Sequence, residues 1–156
     1  RDPEMSRGLG DVYKRQVEAA AKTDAIFAVE PVYWHPLDSL EVVQQLIDHV
    51  ADPEHLHFIF DPANVLENHN IPHQAKLWND WLSLIGSRVD AIHIKDFTYG
   101  STGTDDTYGP CPLGKGCIQY DAISKWLHQQ NRDIPLLREE VILSCAAEDI
   151  AFMSAL

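Results

Sequence analysis

Four residues of types that bind divalent cations stand at equivalent points of four short apolar runs. They are Glu30 in AVEPV, Asp61 in FDPAN, His93 in IHIKD and Glu139 in LLREE. Three carboxylates and one imidazole form a mixed oxygen and nitrogen ligand set, which suits Mn²⁺ or Mg²⁺ and also accommodates Co²⁺ or Zn²⁺. If the four apolar runs lie side by side, the pattern predicts a site for a divalent metal ion.

Each of these residues also has an ordinary structural interpretation. A carboxylate that ends a strand is often the first position in contact with water, or it caps the next helix. His93, between Ile92 and Ile94, is compatible with a hydrogen-bonded histidine of the core. The metal hypothesis rests on recurrence, because each polar residue occurs at the same point of successive units.

The apolar runs have the length and composition of buried strands. They are short and rich in branched and aromatic residues, which predicts strands over 25–29, 56–60, 89–94 and 134–137. Apolar residues at helical spacing predict helices over 40–50, 77–85 and 120–127, and from Ser144 to the end of the chain. The sequence Asp38-Ser39-Leu40-Glu41 offers a capping box for the first of these helices.

The order of elements is therefore strand and helix in alternation, as in parallel crossover units. Two architectures fit this order, an open doubly wound sheet and part of a (β/α)₈ barrel. An open nucleotide-binding sheet carries a glycine-rich turn after its first strand, and none follows 25–29. A barrel places its chemistry at the carboxyl ends of several strands, where the polar residues occur. The predicted fold class is thus α/β, a partial (β/α)₈ TIM barrel of about four β/α units.

Composition narrows the classes of partner. The chain has 156 residues, 45% of them hydrophobic, which fits one globular domain with an ordinary core. Lys and Arg number 12 against 24 Asp and Glu, a formal net charge of -12. Such a surface repels phosphate backbones and anionic lipids, so neither nucleic acid nor membrane is an expected partner. The three cysteines lack C-x-x-C spacing, which argues against a disulfide framework and favours the reducing cytoplasm.

The first sixteen residues differ from the rest in composition. RDPEMSRGLGDVYKRQ holds four basic residues and two glycines without apolar periodicity. It resembles translated sequencing-adapter read-through, and a genuine mobile tail is the alternative; both predict a segment without structure. We therefore expect a leader over 1–16 and the folded domain over 17–156.

The motifs together carry a family resemblance. AVEPV, FDPANVL, IHIKDF, PLGKGCIQYDAISKWL and IPLLREEV resemble the second half of the xylose isomerase-like sugar phosphate isomerases and epimerases. That superfamily also contains ketose 3-epimerases, hydroxypyruvate isomerase, inosose dehydratase and endonuclease IV. The resemblance covers roughly residues 24–156, and IHIKD followed by PLGKG is its most specific part.

The resemblance implies roles for the four strand-end residues. One divalent ion, with Mn²⁺ preferred, is expected between Glu30, Asp61, His93 and Glu139, with Glu139 favoured over Glu140. Glu30 and Glu139 are expected to act as acid and base on opposite faces of a bound sugar or sugar phosphate. The implied activity is isomerisation or epimerisation through an enediolate, because a bound cation stabilises the charge that develops when the carbon-bound proton leaves.

Five further positions are candidates for weaker roles. The candidate substrate-binding residues are His35, Asn64, Lys95 and Lys115. Asp96 is a candidate for a hydrogen bond that orients a metal ligand without contact to the ion itself. Asn64 departs from the family pattern, in which several members carry a substrate-binding histidine there. Residues 97–117 lack periodicity and are long for a βα loop, so they are either a lid over the site or a surface loop.

The number of units raises an expectation about completeness. Four β/α units are predicted where a closed barrel needs eight, so we expect a fragment of a longer protein. Its two unpaired sheet edges favour either low stability alone or pairing with a second copy as a homo-oligomer. Two other functions stay open, an endonuclease IV-like phosphodiesterase with several zinc ions and a non-catalytic barrel domain.

Overall fold

A computed structural model of the chain describes residues 3–99 and 108–156. The helices are α1 (Pro3–Ala21), α2 (Leu40–Val50), α3 (Gln74–Ile85), α4 (Asp121–Leu127) and α5 (Ala146–Met153). The strands are β1 (Phe27–Val29), β2 (Leu56–Phe60), β3 (Val89–Ile94), β4 (Asp96–Tyr99), β5 (Tyr108–Cys111) and β6 (Leu136–Arg138). Short 3₁₀ turns occupy Asn68–His73, Gly86–Arg88 and Leu143–Cys145.

Four strands form one parallel sheet in the order β1-β2-β3-β6. Phe27 pairs with Leu56 between β1 and β2, and Ile92 pairs with Leu136 between β3 and β6. Since parallel neighbours need a crossover, α2, α3 and α4 connect successive strands of this sheet. The predicted α/β class is confirmed, and the parallel arrangement is that expected of part of a (β/α)₈ barrel.

The two faces of the sheet differ in what they contact. In β2, Leu56, Phe58 and Phe60 are fully buried, and the ring of Phe60 meets Trp78 of α3 at 6.1 Å. Burying a side chain of this size contributes roughly 1.5–3 kcal/mol. By strand alternation the next polar residue, Asp61, belongs to the opposite face. The apolar face therefore fixes the direction in which the candidate ligand points.

The predicted bounds hold for the central strands and differ at the edges. β2 and β3 match 56–60 and 89–94, whereas β1 and β6 each begin two residues later than predicted. Ser39 is the N-cap residue of α2 and makes no side-chain capping hydrogen bond. The predicted capping box of Asp38 and Glu41 stays a prediction. Ser144 lies in a 3₁₀ turn and does not cap α5, which begins at Ala146 and ends at Met153.

The expectation that residues 1–16 lack structure is wrong for the described part of that segment. It forms most of α1, which continues without interruption past the predicted boundary. The physical reason is an apolar face that spans the boundary: Tyr13 packs on Phe27 at 6.5 Å, and Val17 is 1% exposed. Tyr13 and Val17 stand at helical spacing and lie on one face of α1. Burial of Val17 therefore extends the ordered helix towards the N-terminus. The adapter origin of the segment stays a prediction.

The segment predicted as a lid or surface loop contains regular structure. β4 and β5 form an antiparallel hairpin in which Phe97 pairs with Pro110 and Thr98 with Gly109. The central part of this segment, 100–107, lies outside the described residues, so the choice between a lid and a surface loop stays open. The hairpin places the turn that carries Lys115 next to the end of β3.

Candidate metal centre

The ends of the four parallel strands bring the four predicted ligands together. The Nδ1 atom of His93 lies 3.4 Å from Glu30 Oε2, 3.7 Å from Asp61 Oδ2 and 3.2 Å from Glu139 Oε1. The backbone N–H of Glu139 donates to the carbonyl oxygen of Ile94 at 3.1 Å, which continues the pairing of β6 with β3 beyond the last strand residue. Sheet register therefore sets the position of Glu139 beside His93.

Three of the four residues form a compact ligand set. Glu30, Asp61 and His93 each offer one ligand atom, and these atoms lie within 4.8 Å of one another. Glu139 adjoins this set through its contact with His93. Glu140 is exposed, and its φ of 53° places its backbone in the left-handed region directly after Glu139.

Two buried polar atoms at this site have no hydrogen-bond partner among the described residues, namely Nδ1 of His93 and Oδ2 of Asp61. The Nζ atom of Lys95 is 2.9 Å from Asp61 Oδ2 and forms an ion pair with it. A buried ring nitrogen without a hydrogen-bond partner is uncommon and costly, and a divalent cation between His93 Nδ1 and the three carboxylates around it would satisfy it. The donor set and these two atoms therefore fit a divalent metal ion held by Glu30, Asp61, His93 and Glu139.

Lys95 supplies the positive charge nearest to the carboxylates. Its Nζ atom donates to Glu139 Oε2 at 2.9 Å and pairs with Asp61 Oδ2 at the same distance. Burial lowers the pKa of Lys95, but the two carboxylates outweigh it and raise that pKa above its ordinary value. Lys95 is therefore charged and engaged with two of the candidate ligands.

The two carboxylates bound to Lys95 respond differently to their surroundings. Burial raises the pKa of Asp61 to about 6, although Lys95 and the backbone N–H of Asn64 lower it. Burial also raises the pKa of Glu139, but Lys95 and His93 outweigh it and hold that pKa below its usual value. Glu139, the more exposed of these two carboxylates, is therefore more easily ionised than Asp61.

Asn64 orients both carboxylates of the first two strands. Its side-chain amide donates to Oε1 of Glu30, and its backbone N–H donates to Oδ1 of Asp61 at 3.0 Å. The carbonyl oxygen of Asn64 accepts from the backbone N–H of Tyr33 at 2.8 Å, which ties the loop after β1 to the loop after β2. Whether Asn64 also binds substrate stays a prediction.

Asp96 does not orient a metal ligand, contrary to prediction. Its buried carboxylate accepts four backbone N–H groups at 2.9–3.1 Å, from Phe97, Gly114, Gly116 and Ile118. Gly116 is required at its position, since a Cβ atom there would lie 2.2 Å from Asp96 Oδ1. The Gly-Lys-Gly sequence is therefore a turn built around Asp96.

His35 and Lys115 remain candidates without contacts to the four ligands. His35 is exposed and its ring meets that of Trp34 at 5.8 Å. Lys115 is exposed, and its backbone N–H donates to Pro112 at 3.1 Å. The structure places both in loops at the carboxyl ends of strands, which is compatible with the predicted substrate contacts but does not test them.

Tyr120 is a residue of the site region that the sequence did not single out. Its hydroxyl donates to the carbonyl oxygen of Lys95 at 2.6 Å and accepts from the backbone N–H of the same residue at 3.2 Å. Burial raises the pKa of this phenol well above its ordinary value, so the hydroxyl stays protonated. In the sequence Tyr120 stands just before α4 at an ordinary core position. The residue pattern therefore does not predict its contact with the backbone of Lys95.

A buried ion pair supports the end of β6. Arg138 Nε donates to Asp149 Oδ2 at 2.7 Å, and Asp149 Oδ1 accepts from the backbone N–H of Leu113 at 2.8 Å. Arg138 also donates to the carbonyl oxygens of Cys111 and Glu139. This network ties α5 and the hairpin to the strand that delivers Glu139.

A parallel α/β sheet with a carboxylate and imidazole cluster at the carboxyl ends of its strands has the arrangement of a (β/α)₈ barrel active site. The profile of the xylose isomerase-like TIM barrel family matches residues 3–154 of this chain. The chain belongs to that family, as its motifs predicted.

The chain is similar to one curated enzyme and to several solved structures. It is 32% identical over 96 residues to the 3-oxo-isoapionate decarboxylase of Pectobacterium atrosepticum, a match that covers 59% of this chain and 32% of that protein. A probable 3-DHS dehydratase from Bacillus anthracis superposes with a TM-score of 0.70 at 16% identity, over 93% of this chain and 55% of that one.

A second structure has the same degree of similarity. A xylose isomerase-like TIM barrel protein from Mycobacterium smegmatis, solved in complex with magnesium, gives a TM-score of 0.70 at 18% identity, over 98% of this chain and 50% of that one. At such identities the likeness establishes the fold alone. The chain spans about half the length of these structures and a third of the curated enzyme. Among the described residues no helix is long and apolar enough to cross a membrane.

Proposed function

We propose that this site belongs to a divalent-metal-dependent isomerase or epimerase that acts on a sugar or sugar phosphate by proton transfer through an enediolate. The observation that carries the proposal is the convergence of Glu30, Asp61 and Glu139 on the buried Nδ1 atom of His93, which has no hydrogen-bond partner among the described residues. Mn²⁺ is the preferred ion, with Mg²⁺, Co²⁺ and Zn²⁺ as alternatives, because the ligand set is rich in oxygen.

The exposure of the carboxylates supports different roles for Asp61 and for the two glutamates. The side chain of Asp61 is 0% exposed, whereas those of Glu30 and Glu139 are 25% and 39% exposed. A fully buried carboxylate holds an ion but does not reach a substrate, so Asp61 is assigned to binding only. The two glutamates face the open side of the site, where a bound sugar would lie between them.

The chemistry follows from this arrangement. A divalent ion bound at the site would stabilise the negative charge of an enediolate on the substrate. Glu139, held ionised by Lys95, takes the proton from the carbon next to the carbonyl. Glu30, whose Oε1 is fixed by the amide of Asn64, enters this step in its acid form and gives its proton from the other side, after which both glutamates exchange protons with solvent. Return at the same carbon gives an epimer. Return at the neighbouring carbon gives an isomer, provided that the hydroxyl proton also moves to the former carbonyl oxygen.

A second candidate is the decarboxylation of a 3-oxo sugar acid. It is favoured by the 32% identity to a 3-oxo-isoapionate decarboxylase. Loss of carbon dioxide from the carbon next to a carbonyl leaves an enolate, whose charge the same ion would stabilise, so the same ion-binding residues serve both reactions. In this case one glutamate is needed only to protonate the product carbon.

The remaining alternatives receive less support from the site. A nuclease of the endonuclease IV type needs several zinc ions and more histidines, and His93 is the single histidine of the compact set among residues 3–99 and 108–156. The net charge of -12 also opposes binding to DNA. A non-catalytic domain would bind no ion, which metal analysis of the purified intact protein tests directly.

Solvent exchange distinguishes the first two candidates. The intact protein, loaded with Mn²⁺ and incubated in D₂O with a panel of ketoses and sugar acids, is expected to introduce deuterium at the carbon next to the carbonyl without release of carbon dioxide. Carbon dioxide release dependent on the protein favours the decarboxylase. Glu139→Gln should abolish exchange, whereas Glu140→Gln, which alters an exposed neighbour, should leave it unchanged. Exchange by Glu139→Gln at the wild-type rate would remove Glu139 from the mechanism.

A further inference from the structure

Lys95 is the residue whose observed contacts differ most from its predicted role. Its Nζ atom lies 2.9 Å from both Asp61 Oδ2 and Glu139 Oε2, and its side chain is 11% exposed. An ammonium group has three N–H donors, and two of those of Lys95 are engaged by protein carboxylates. The contacts therefore indicate a role towards the carboxylates themselves.

The backbone of Lys95 is fixed as firmly as its side chain. The hydroxyl of Tyr120 bonds to both the N–H and the carbonyl oxygen of Lys95. The next residue, Asp96, is fixed by four backbone N–H groups from its own turn and the Gly-Lys-Gly turn. Because the backbone is held at Lys95 and at Asp96, the Lys95 side chain starts from a fixed point next to Asp61 and Glu139.

The position of the Lys95 ammonium group affects the net charge of the site. Three carboxylates, those of Glu30, Asp61 and Glu139, surround His93 and sum to -3 when ionised. The ammonium group of Lys95 reduces this to -2, the charge that one divalent cation neutralises. Without Lys95 the carboxylates would repel one another in a partly buried space, and the penalty is largest for Asp61, which is 0% exposed.

We propose that Lys95 is a built-in counter-cation of the metal centre, a positioning residue that keeps Asp61 and Glu139 together when no ion is bound. The inference rests on the proposed metal site and replaces the predicted substrate contact of Lys95. It has two consequences. Lys95 stabilises the metal-free protein, and it weakens metal binding, because its charge repels the incoming cation.

The test compares three variants of the intact protein, without metal and with Mn²⁺. Lys95→Met should lower the melting temperature of the metal-free protein and tighten the binding of Mn²⁺, measured calorimetrically, on the order of tenfold. Lys95→Arg, which keeps the charge, should restore the wild-type values of both quantities. Lys125→Met removes an equal charge at an exposed position of α4 and should change neither.

Several results would overturn the inference. One is that metal-free Lys95→Met melts at the same temperature as metal-free wild type. Another is that Lys95→Met binds Mn²⁺ more weakly than wild type does. If Lys95→Met is unfolded without metal, recovery of the fold on addition of Mn²⁺ supports the inference, and so does folding of Lys95→Arg. Failure of Lys95→Arg to fold contradicts it.

The same experiment separates this inference from the proposed function. If wild type and Lys95→Met both fail to bind Mn²⁺, the proposed metal-dependent activity is wrong. The metal-free melting temperatures still decide in that case whether Lys95 holds Asp61 and Glu139 together. A substrate-binding role would instead leave both the melting temperature and the affinity for Mn²⁺ unchanged.

Discussion

The imidazole Nδ1 atom of His93 lies 3.2 Å from Oε1 of Glu139, although the two residues come from different strands and a helix and a hairpin separate them in the sequence. Parallel pairing of β3 with β6 sets this distance, since His93 is in register with Leu137 and the N–H of Glu139 bonds to Ile94. The catalytic proposal therefore depends on the register of the last strand as much as on residue types.

Asp61 should make the metal-free protein less stable as the pH rises. Burial raises its pKa from 3.8 to about 6, so the unfolded chain releases this proton first. Between these two values the folded state binds the proton more tightly, and the free energy of unfolding falls by roughly 3 kcal/mol as pH increases through the window. Asp61→Asn should abolish this fall, measured by urea unfolding at pH 4 and pH 7 without metal.

The opposite behaviour is expected when Mn²⁺ is present. Wild type should then regain stability at pH 7, because the ion binds the ionised folded state, while Asp61→Asn should gain much less. A variant that keeps the wild-type dependence on pH, or that gains as much from Mn²⁺, contradicts the assignment of Asp61 as a buried ligand.

Gly116→Ala should destabilise the protein by about 1–3 kcal/mol. The added Cβ atom would lie 2.2 Å from Asp96 Oδ1 and 2.4 Å from the carbonyl oxygen of Phe97, so the turn must move away from Asp96. Gly8→Ala is the matched control, because no atom lies within 4 Å of its added Cβ. Equal melting temperatures of Gly116→Ala and wild type would show that the turn tolerates displacement.

Tyr120→Phe should cost about 1–3 kcal/mol of stability, since it removes a hydroxyl that makes two hydrogen bonds with the backbone of Lys95. The ring should stay in place against Phe152, which it meets at 5.7 Å. Tyr13→Phe is a suitable control for a tyrosine of α1 that packs on Phe27 through its ring. The free energy of unfolding from urea denaturation measures both, and no loss for Tyr120→Phe would mean that its hydroxyl does not hold Lys95.

The parts of the fold that the sequence predicted are those determined by local pattern. β2 and β3 are continuous apolar runs, and their bounds agree with the predicted ones. The strand-end positions of Asp61 and His93 follow directly from these bounds. Because parallel strands end at a common edge, residue type and strand position were enough to predict that the candidate ligands meet.

The parts that were missed depend on contacts between distant segments. The order of α1 comes from packing of Tyr13 on Phe27, which no local pattern in the leader indicates. The carboxylate of Asp96 points to the Gly-Lys-Gly turn and not to a ligand, and only the backbone geometry of both segments decides this. The engagement of Lys95 with two carboxylates depends likewise on the fixed path of its backbone.

The location of the bound ion tests the central claim most directly. Crystals of the intact protein grown with Mn²⁺ and measured at the manganese absorption edge should show one anomalous peak bonded to Glu30, Asp61, His93 and Glu139. A peak at any other place, or crystals with Mn²⁺ in the solution and no peak between these four side chains, would contradict the account.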